Sequence, residues 1–200
     1  LWFEDFKTLA SQPLSFEPGQ AAAFLGLLGL AAANDSSVRA QIQLYRTSTR
    51  DSFFEAVTFF GSSPAAAAIT GSLALAGEEE VAYKMANSVL YAGIGFSLLK
   101  TVVGRPRPYT GEVKNRPLSF SRDYASFPSG HTATAFAMAR VLAEEYPDYK
   151  YFYYAGAALV GLSRIYLDVH YASDVVAGAA LGLYAGSHVE ANSHLFEIRF

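Results

Sequence analysis

"YFYYAGAALVGLSRIYLDVHYASD", Tyr151–Asp174, is an uncharged run of aromatic and small apolar residues that ends in an arginine, a histidine and an aspartate. The run is too long for an ordinary strand, and no period-two alternation survives in it, so helix is the better reading. Charge and imidazole are costly at the end of such a segment unless a partner or a task requires them. Five further segments share this texture, giving six in all near 18–34, 56–77, 85–103, 131–143, 151–167 and 175–189. They are rich in Ala, Leu and Gly. Pro18, Pro64 and Pro128 stand near starts or early turns, and Pro106 and Pro108 close the third segment. The pattern predicts an all-α fold, a six-helix antiparallel bundle within one domain spanning 1–200.

Composition narrows the class. Charged residues make up 16% of the 200 positions and apolar ones 52%, against a charged share of roughly 25% in soluble domains. The net charge of −3 and the absence of any basic tract argue against a nucleic-acid partner. With no cysteine, disulfides and thiolate metal sites are excluded. Residues 104–130, "GRPRPYTGEVKNRPLSFSRDYASFPSG", form a polar stretch punctuated by Pro and Gly. A loop of that length inside a compact domain is functional or disordered.

An up-and-down path through six helices has a geometric consequence. The third helix ends at Lys100 to Arg107, and the fourth begins at Ser129-Gly130-His131. The fifth ends near Arg164, and the sixth begins between His170 and Asp174. All four termini fall at the same end of the bundle, so the polar clusters converge. Lys100, Arg107 and Arg164 bring three positive charges to one mouth, and arginine meets phosphate with a two-pronged fork. "PSGH" opens a helix whose first N–H groups are free to face an anion, with Gly130 permitting close approach. His131 and His170 are proton carriers near neutral pH. A carboxylate at Asp174, four residues after His170, can fix the ring tautomer and leave the far nitrogen nucleophilic.

Each feature alone has a plainer reading. A helix-end Arg or Lys is ordinarily a solvated cap, a lone His packs, and "PSG" is a common helix start. It is their coincidence on one face that describes a tetrahedral-oxyanion site. His188 and His194 belong to the other end of the last helix and read as packing residues. The "EEE" at 78–80 reads as a solvated loop.

The residues also match a known pattern. "KTVVGRPRP" fits K-x6-R-P through Lys100, Arg107 and Pro108. "PSGH" at 128–131 and "SRIYLDVHYASD", as S-R-x5-H-x3-D, complete the set in order. The chain thus resembles the phosphatidic acid phosphatase type 2 family, which includes lipid phosphatases, bacterial acid phosphatases and vanadium haloperoxidases. In "RPRP" the spacing selects Arg107 over Arg105. The resemblance implies that His170 attacks phosphorus, Asp174 orients it, and His131 protonates the leaving oxygen and then activates water. Lys100, Arg107, Arg164, Ser129 and the Gly130 amide would hold the phosphoryl oxygens. No metal or other cofactor is implied, although vanadate can mimic the phosphate.

Low charge and six apolar stretches place the chain in a bilayer. The uncharged 56–77 stretch meets the length of a span, about 20 residues, while several others are shorter. Residues 1–17 read as an N-terminal interfacial segment with Leu1, Trp2, Phe3 and Phe6 towards lipid. In the family's integral lipid phosphatases the site is extracytoplasmic, which predicts a protein of the bacterial cell envelope acting on a phosphorylated lipid. The basic residues gathered on the motif side run against the positive-inside tendency, although an anion site needs them wherever it faces. The alternatives are a soluble periplasmic acid phosphatase and a vanadium-dependent haloperoxidase. Oligomeric state and the choice among phosphatidate, phosphatidylglycerophosphate, undecaprenyl diphosphate and lipid A phosphates are not readable from the motifs.

Overall fold

The computed structural model describes residues 18–191, so the interfacial reading of 1–17 and the packing reading of His194 lie outside the described residues. Seven α-helices follow one another: α1 (Pro18–Gln43), α2 (Ser48–Phe59), α3 (Ser63–Leu75), α4 (Glu79–Val103), α5 (Gly130–Glu145), α6 (Lys150–Tyr166) and α7 (Ala172–Ala191). No strand occurs among the described residues. The all-helical bundle expected from the sequence is therefore present, with two differences in its elements.

The 56–77 segment is two helices. Thr47 starts α2 by accepting a hydrogen bond from the Arg50 N–H, and Ser62 starts α3 by accepting one from Ala65, with Pro64 in the first turn. Between them the chain turns at Gly61, where a β-carbon would lie 2.6 Å from the His131 carbonyl oxygen and 2.7 Å from Val160. Only a residue without a side chain fits there. The second difference is α1, which continues nine residues past the expected end at 34. Its polar tail, "NDSSVRAQIQ", reads as loop in isolation but finds tertiary partners.

The packing centre is α5, which touches α3, α4, α6 and α7, while α1 lies on α7 and α2 on α6. Its buried residues are mostly alanine, and they meet alanine or valine on the neighbours: Ala133 and Ala137 against Ala92 and Ala185, Ala135 and Ala139 against Ala157 and Val160. In lipid, hiding a leucine from water adds nothing to helix association, so close backbone approach does that work. The α5–α7 seam shows it best. β-Carbons on Gly178, Gly182 and Gly186 would stand 2.5 Å from the Ser129 oxygen, 2.2 Å from the Ala133 oxygen and 2.6 Å from Arg140 Cβ. Gly182→Ala is expected to cost about 1–3 kcal/mol by overpacking. In a chain of this length that is a fall of roughly 2–12 °C in Tm, measurable by thermal unfolding in detergent.

Two helices contain runs long and apolar enough to cross a bilayer, Ala21–Gln43 and Glu79–Thr110, each with a mean hydropathy of 1.3. Only 6% of the first window and 17% of the second are buried. A soluble core helix of that hydropathy would be covered, whereas Leu25, Leu27 and Leu30 of α1 and Ile94, Leu98 and Val102 of α4 are exposed. Uncovered apolar flanks of this kind are what a bilayer-spanning bundle presents to lipid. At the end away from the motifs, Lys84 of α4 joins Glu145 of α5 at 2.5 Å and Glu80 at 2.9 Å. The "EEE" stretch thus lies at the start of α4 and not in a loop. His188 packs its ring against Tyr91 and Tyr184, as expected for a packing residue.

Candidate active site

Lys100 lies in the last turn of α4, which ends at Gly104 in the left-handed conformation (φ 56°). A β-carbon at 104 would collide with the Arg116 carbonyl at 1.8 Å, so glycine alone allows the chain to double back here. The long loop that follows is ordered by its own hydrogen bonds. Arg107 N–H donates to the Asp123 oxygen, Arg116 N–H to the Gly104 oxygen and Ser126 N–H to the Arg105 oxygen, at 2.8–3.0 Å. Lys100 Nζ reaches across and donates to the carbonyls of Ala125 (2.6 Å) and Pro128 (2.8 Å). Two of its three protons are thereby used, and one is left for a guest.

α5 begins at Ser129, whose buried Oγ accepts from the Thr132 N–H and from the Thr132 hydroxyl at 2.8 Å. Both bonds are accepted, so the Ser129 hydroxyl still has a proton to donate. Gly130 follows with the Phe96 ring closing over it. The Ser129 N–H donates to the Asp174 carbonyl at 2.9 Å, which joins the start of α5 to that of α7. Arg164, near the end of α6, is buried and donates through one terminal nitrogen to Thr58 Oγ1 at 2.5 Å. Arg107 donates to the carbonyls of Arg122 (2.9 Å) and Val169 (3.3 Å). His170 sits in the short connection between α6 and α7.

These residues share one electrostatic neighbourhood. His131 feels the charges of Arg164, Arg107 and Lys100, and His170 feels those of Asp174, Lys100 and Arg107. Lys100, Arg107 and Arg164 form no ion pair among the described residues. Three neighbouring, part-buried cations without a counterion are unfavourable on their own. Two buried polar atoms at the same place, Arg164 Nε and His170 Nδ1, also have no hydrogen-bond partner. The free Arg164 Nε donor and the remaining Lys100 proton suit an anion with several oxygens, whereas His170 Nδ1 faces Asp174. No group of three or more His, Asp or Glu among the described residues is arranged to hold a metal ion.

The relation of His170 to Asp174 differs from a simple pair. Nδ1 stands 3.6 Å from Asp174 Oδ2, beyond hydrogen-bond length. The fully buried carboxylate is occupied elsewhere. Oδ1 accepts from Arg105 at 2.7 Å, and Oδ2 accepts from the Ser126 hydroxyl at 2.6 Å and the Tyr171 N–H at 2.8 Å. Arg105 also reaches Asp35 of α1 at 2.9 Å, so it bridges two buried carboxylates. Arg105, Ser126 and Asp35 were not singled out by spacing. The "RPRP" run was a partial signal, since it offered both arginines.

Burial pushes the His170 imidazole down to about 3, outweighing the opposing pull of Asp174. Burial thus favours the neutral ring near pH 7. In the unfolded chain it takes a proton near 6.5, so below that pH the unfolded state binds a proton that the folded state refuses. Its contribution to stability is complete above about pH 6.5 and is lost progressively towards pH 3. Thermal unfolding in detergent should occur at lower temperature at pH 4.5 than at pH 7.5, and His170→Asn should flatten that difference.

An all-helical membrane bundle with a cationic, imidazole-bearing cluster at one end is the class that fold and site define. Residues 82–191 match the family model of the PAP2 superfamily, more than half of the chain, and the protein belongs to that superfamily. The chain is 36% identical over 101 residues to a lipid A 1-phosphatase of Rhizobium johnstonii, covering 48% of this chain and 41% of that protein. It is 49% identical over 65 residues to a lipid A 1-phosphatase of Porphyromonas gingivalis, covering 30% and 15%. It therefore spans less than half the length of these relatives. Among solved structures, Aquifex aeolicus LpxE superimposes with a TM-score of 0.69 at 28% identity, covering 78% of this chain and 94% of that one. A transmembrane PAP2-type phosphatidylglycerolphosphate phosphatase from Bacillus subtilis gives 0.66 at 26% identity, covering 90% and 98%.

Proposed function

We propose that the chain is a metal-independent phosphatase that removes a phosphomonoester from a membrane glycolipid of the lipid A type, through a phosphohistidine. The observation that carries this reading is the trio of unpaired cations, Lys100, Arg107 and Arg164, around two imidazoles. The named relatives support the choice of glycolipid. The three cations, the Ser129 hydroxyl and the Gly130 amide take the non-bridging phosphoryl oxygens. With the Nδ1 proton directed to the Asp174 side, His170 Nε2 carries the free lone pair. It attacks phosphorus as the P–O bond to the lipid breaks, and His131, protonated once the bound phosphate offsets the three neighbouring cations, gives its proton to the departing oxygen. A water then attacks the phosphohistidine while His131 takes the water's proton, releasing inorganic phosphate and restoring the ring. Charge accumulates on the transferring group, and donors already in place stabilise it.

The test is phosphate release from a panel in detergent: a lipid A-type glycolipid, phosphatidate, phosphatidylglycerophosphate and p-nitrophenyl phosphate, each with and without EDTA. The glycolipid should be turned over fastest, and EDTA should leave the rate unchanged. Preference for p-nitrophenyl phosphate, or loss of activity with chelator, contradicts the proposal. The proposal also sets the motif end of the bundle outside the cytoplasm. The chain has no cysteine, so Val113→Cys, at an exposed loop position, introduces a single thiol. It should react with a membrane-impermeant maleimide on intact spheroplasts. Labelling only after lysis would reverse the orientation.

A further inference from the structure

α1 lies outside the 82–191 region that defines the family, and none of the three motifs falls on it. It nevertheless carries Asp35, Arg39 and Gln43 at intervals of four, which places them on one face of the helix. All three grip the same short piece of chain. Asp35 accepts from the Ser173 N–H at 2.9 Å and the Ser173 hydroxyl at 2.5 Å, in the first turn of α7. Arg39 donates two parallel bonds to Asp168, Nε to Oδ1 at 2.6 Å and a terminal nitrogen to Oδ2 at 2.7 Å. Gln43 donates to the Tyr166 carbonyl at 3.0 Å and the Ile165 carbonyl at 3.4 Å. Just past the helix, the Thr47 N–H donates to the Tyr166 hydroxyl at 3.0 Å.

These partners fall between 165 and 173, the segment that contains His170, and Asp35 accepts in addition from Arg105. Asp168 within it has φ 61°, a left-handed conformation that is uncommon for residues with a β-carbon, although aspartate tolerates it better than most. The Arg39 fork is the side-chain contact that holds it. The His170 ring has no hydrogen bond of its own through Nδ1, and its backbone N–H donates only to the Arg164 carbonyl at 3.2 Å. Its ring position is therefore inherited from the backbone that α1 secures. Polar and charged residues in a bilayer-spanning helix are costly and persist where they serve a function.

We infer that α1 is a positioning element for the reaction, with Asp35, Arg39 and Gln43 holding the 165–173 segment so that His170 is aimed at phosphorus. The inference rests on the reading of His170 as nucleophile. A misplacement of about 1 Å in a reacting group costs on the order of 100-fold in rate. Loosening the clamp should accordingly lower kcat and leave phosphate binding intact, because none of the three cradle cations is on α1.

The experiment measures phosphate release from a lipid A-type glycolipid by Arg39→Met, Asp168→Asn, the double variant, Arg39→Lys and Gln43→Leu, in the full chain in detergent. Arg39→Met and Asp168→Asn should each lower kcat about 10- to 100-fold with KM within about twofold. The double variant should be no worse than the poorer single one, since both remove the same clamp. Arg39→Lys should recover most of the rate, and Gln43→Leu should lose on the order of 3- to 10-fold. Should Arg39→Met not fold, Asp168→Asn and Gln43→Leu decide, and full kcat in both refutes the clamp. Unchanged kcat in both members of the Arg39–Asp168 pair, additive losses, or a rise in KM alone overturns the inference. His170→Ala separates the two claims. Turnover surviving in it removes the phosphohistidine reading, whereas an inert His170→Ala beside full-rate clamp variants removes only the role of α1.

Discussion

Exchange of His170 for alanine should lower kcat by about 10⁴-fold or more, the scale seen when an enzyme loses its covalent nucleophile. The phosphate cradle should survive the change. Lys100 stays bonded to the Ala125 and Pro128 carbonyls, Arg107 to Arg122 and Val169, and Arg164 to Thr58, none of which involves the His170 ring. Inorganic phosphate or vanadate should thus bind within a few-fold of the parent affinity, measured by titration calorimetry. Acid quenching with substrate labelled in the phosphoryl group should trap radioactivity on the parent protein and none on the variant. The pattern of lost turnover with retained oxyanion binding is specific. A misfolded variant loses both, whereas a mechanism without a phosphohistidine traps no label on the parent and leaves the variant's rate intact.

The second large effect separates two neighbouring arginines. Arg105→Met withdraws the cation that Asp35 and Asp174 share, and both carboxylates are buried. Leaving buried charge uncompensated costs about 3–5 kcal/mol, or roughly 6–20 °C in Tm for a chain of this size. Arg107→Met abandons no carboxylate and relieves repulsion among Lys100, Arg107 and Arg164. Its Tm should hold or rise, while kcat/KM falls about 10²- to 10³-fold through loss of a transition-state donor. Thermal unfolding and steady-state phosphate release on the two variants give the answer. Equal losses of stability in both would mean that Arg107 is structural as well.

The two arginines also show where sequence reading succeeds and where it stops. The helix termini that carry the motifs, near 103, 130, 166 and 172, and so the common end of their polar clusters, were legible, because periodicity and capping chemistry are local. Arg107 was legible because its spacing from Lys100 fits the K-x6-R-P pattern of the family that the chain resembles. Arg105 was not, because its partners Asp35 and Asp174 lie 70 and 69 positions away and the chain carries no local mark of the contact. The same limit explains α1. "NDSSVRAQIQ" has poor helix signals, and only the docking of Asp35, Arg39 and Gln43 on α7 and its preceding loop makes helix the favourable state there. The break at Gly61 was hidden differently. Its neighbours read as continuous apolar helix, and the reason for the turn is the carbonyl of His131, seventy residues on.

Gly178 gives that kind of distant constraint a chemical meaning. Its missing methyl is what lets the last helix rest on the Ser129 carbonyl, so a carbon atom that the chain omits sets the gauge between the helix start proposed to seat the oxyanion and the backbone that carries Asp174. Any larger residue at this point would act as a shim, spreading the two halves of the catalytic centre without touching a single reacting group.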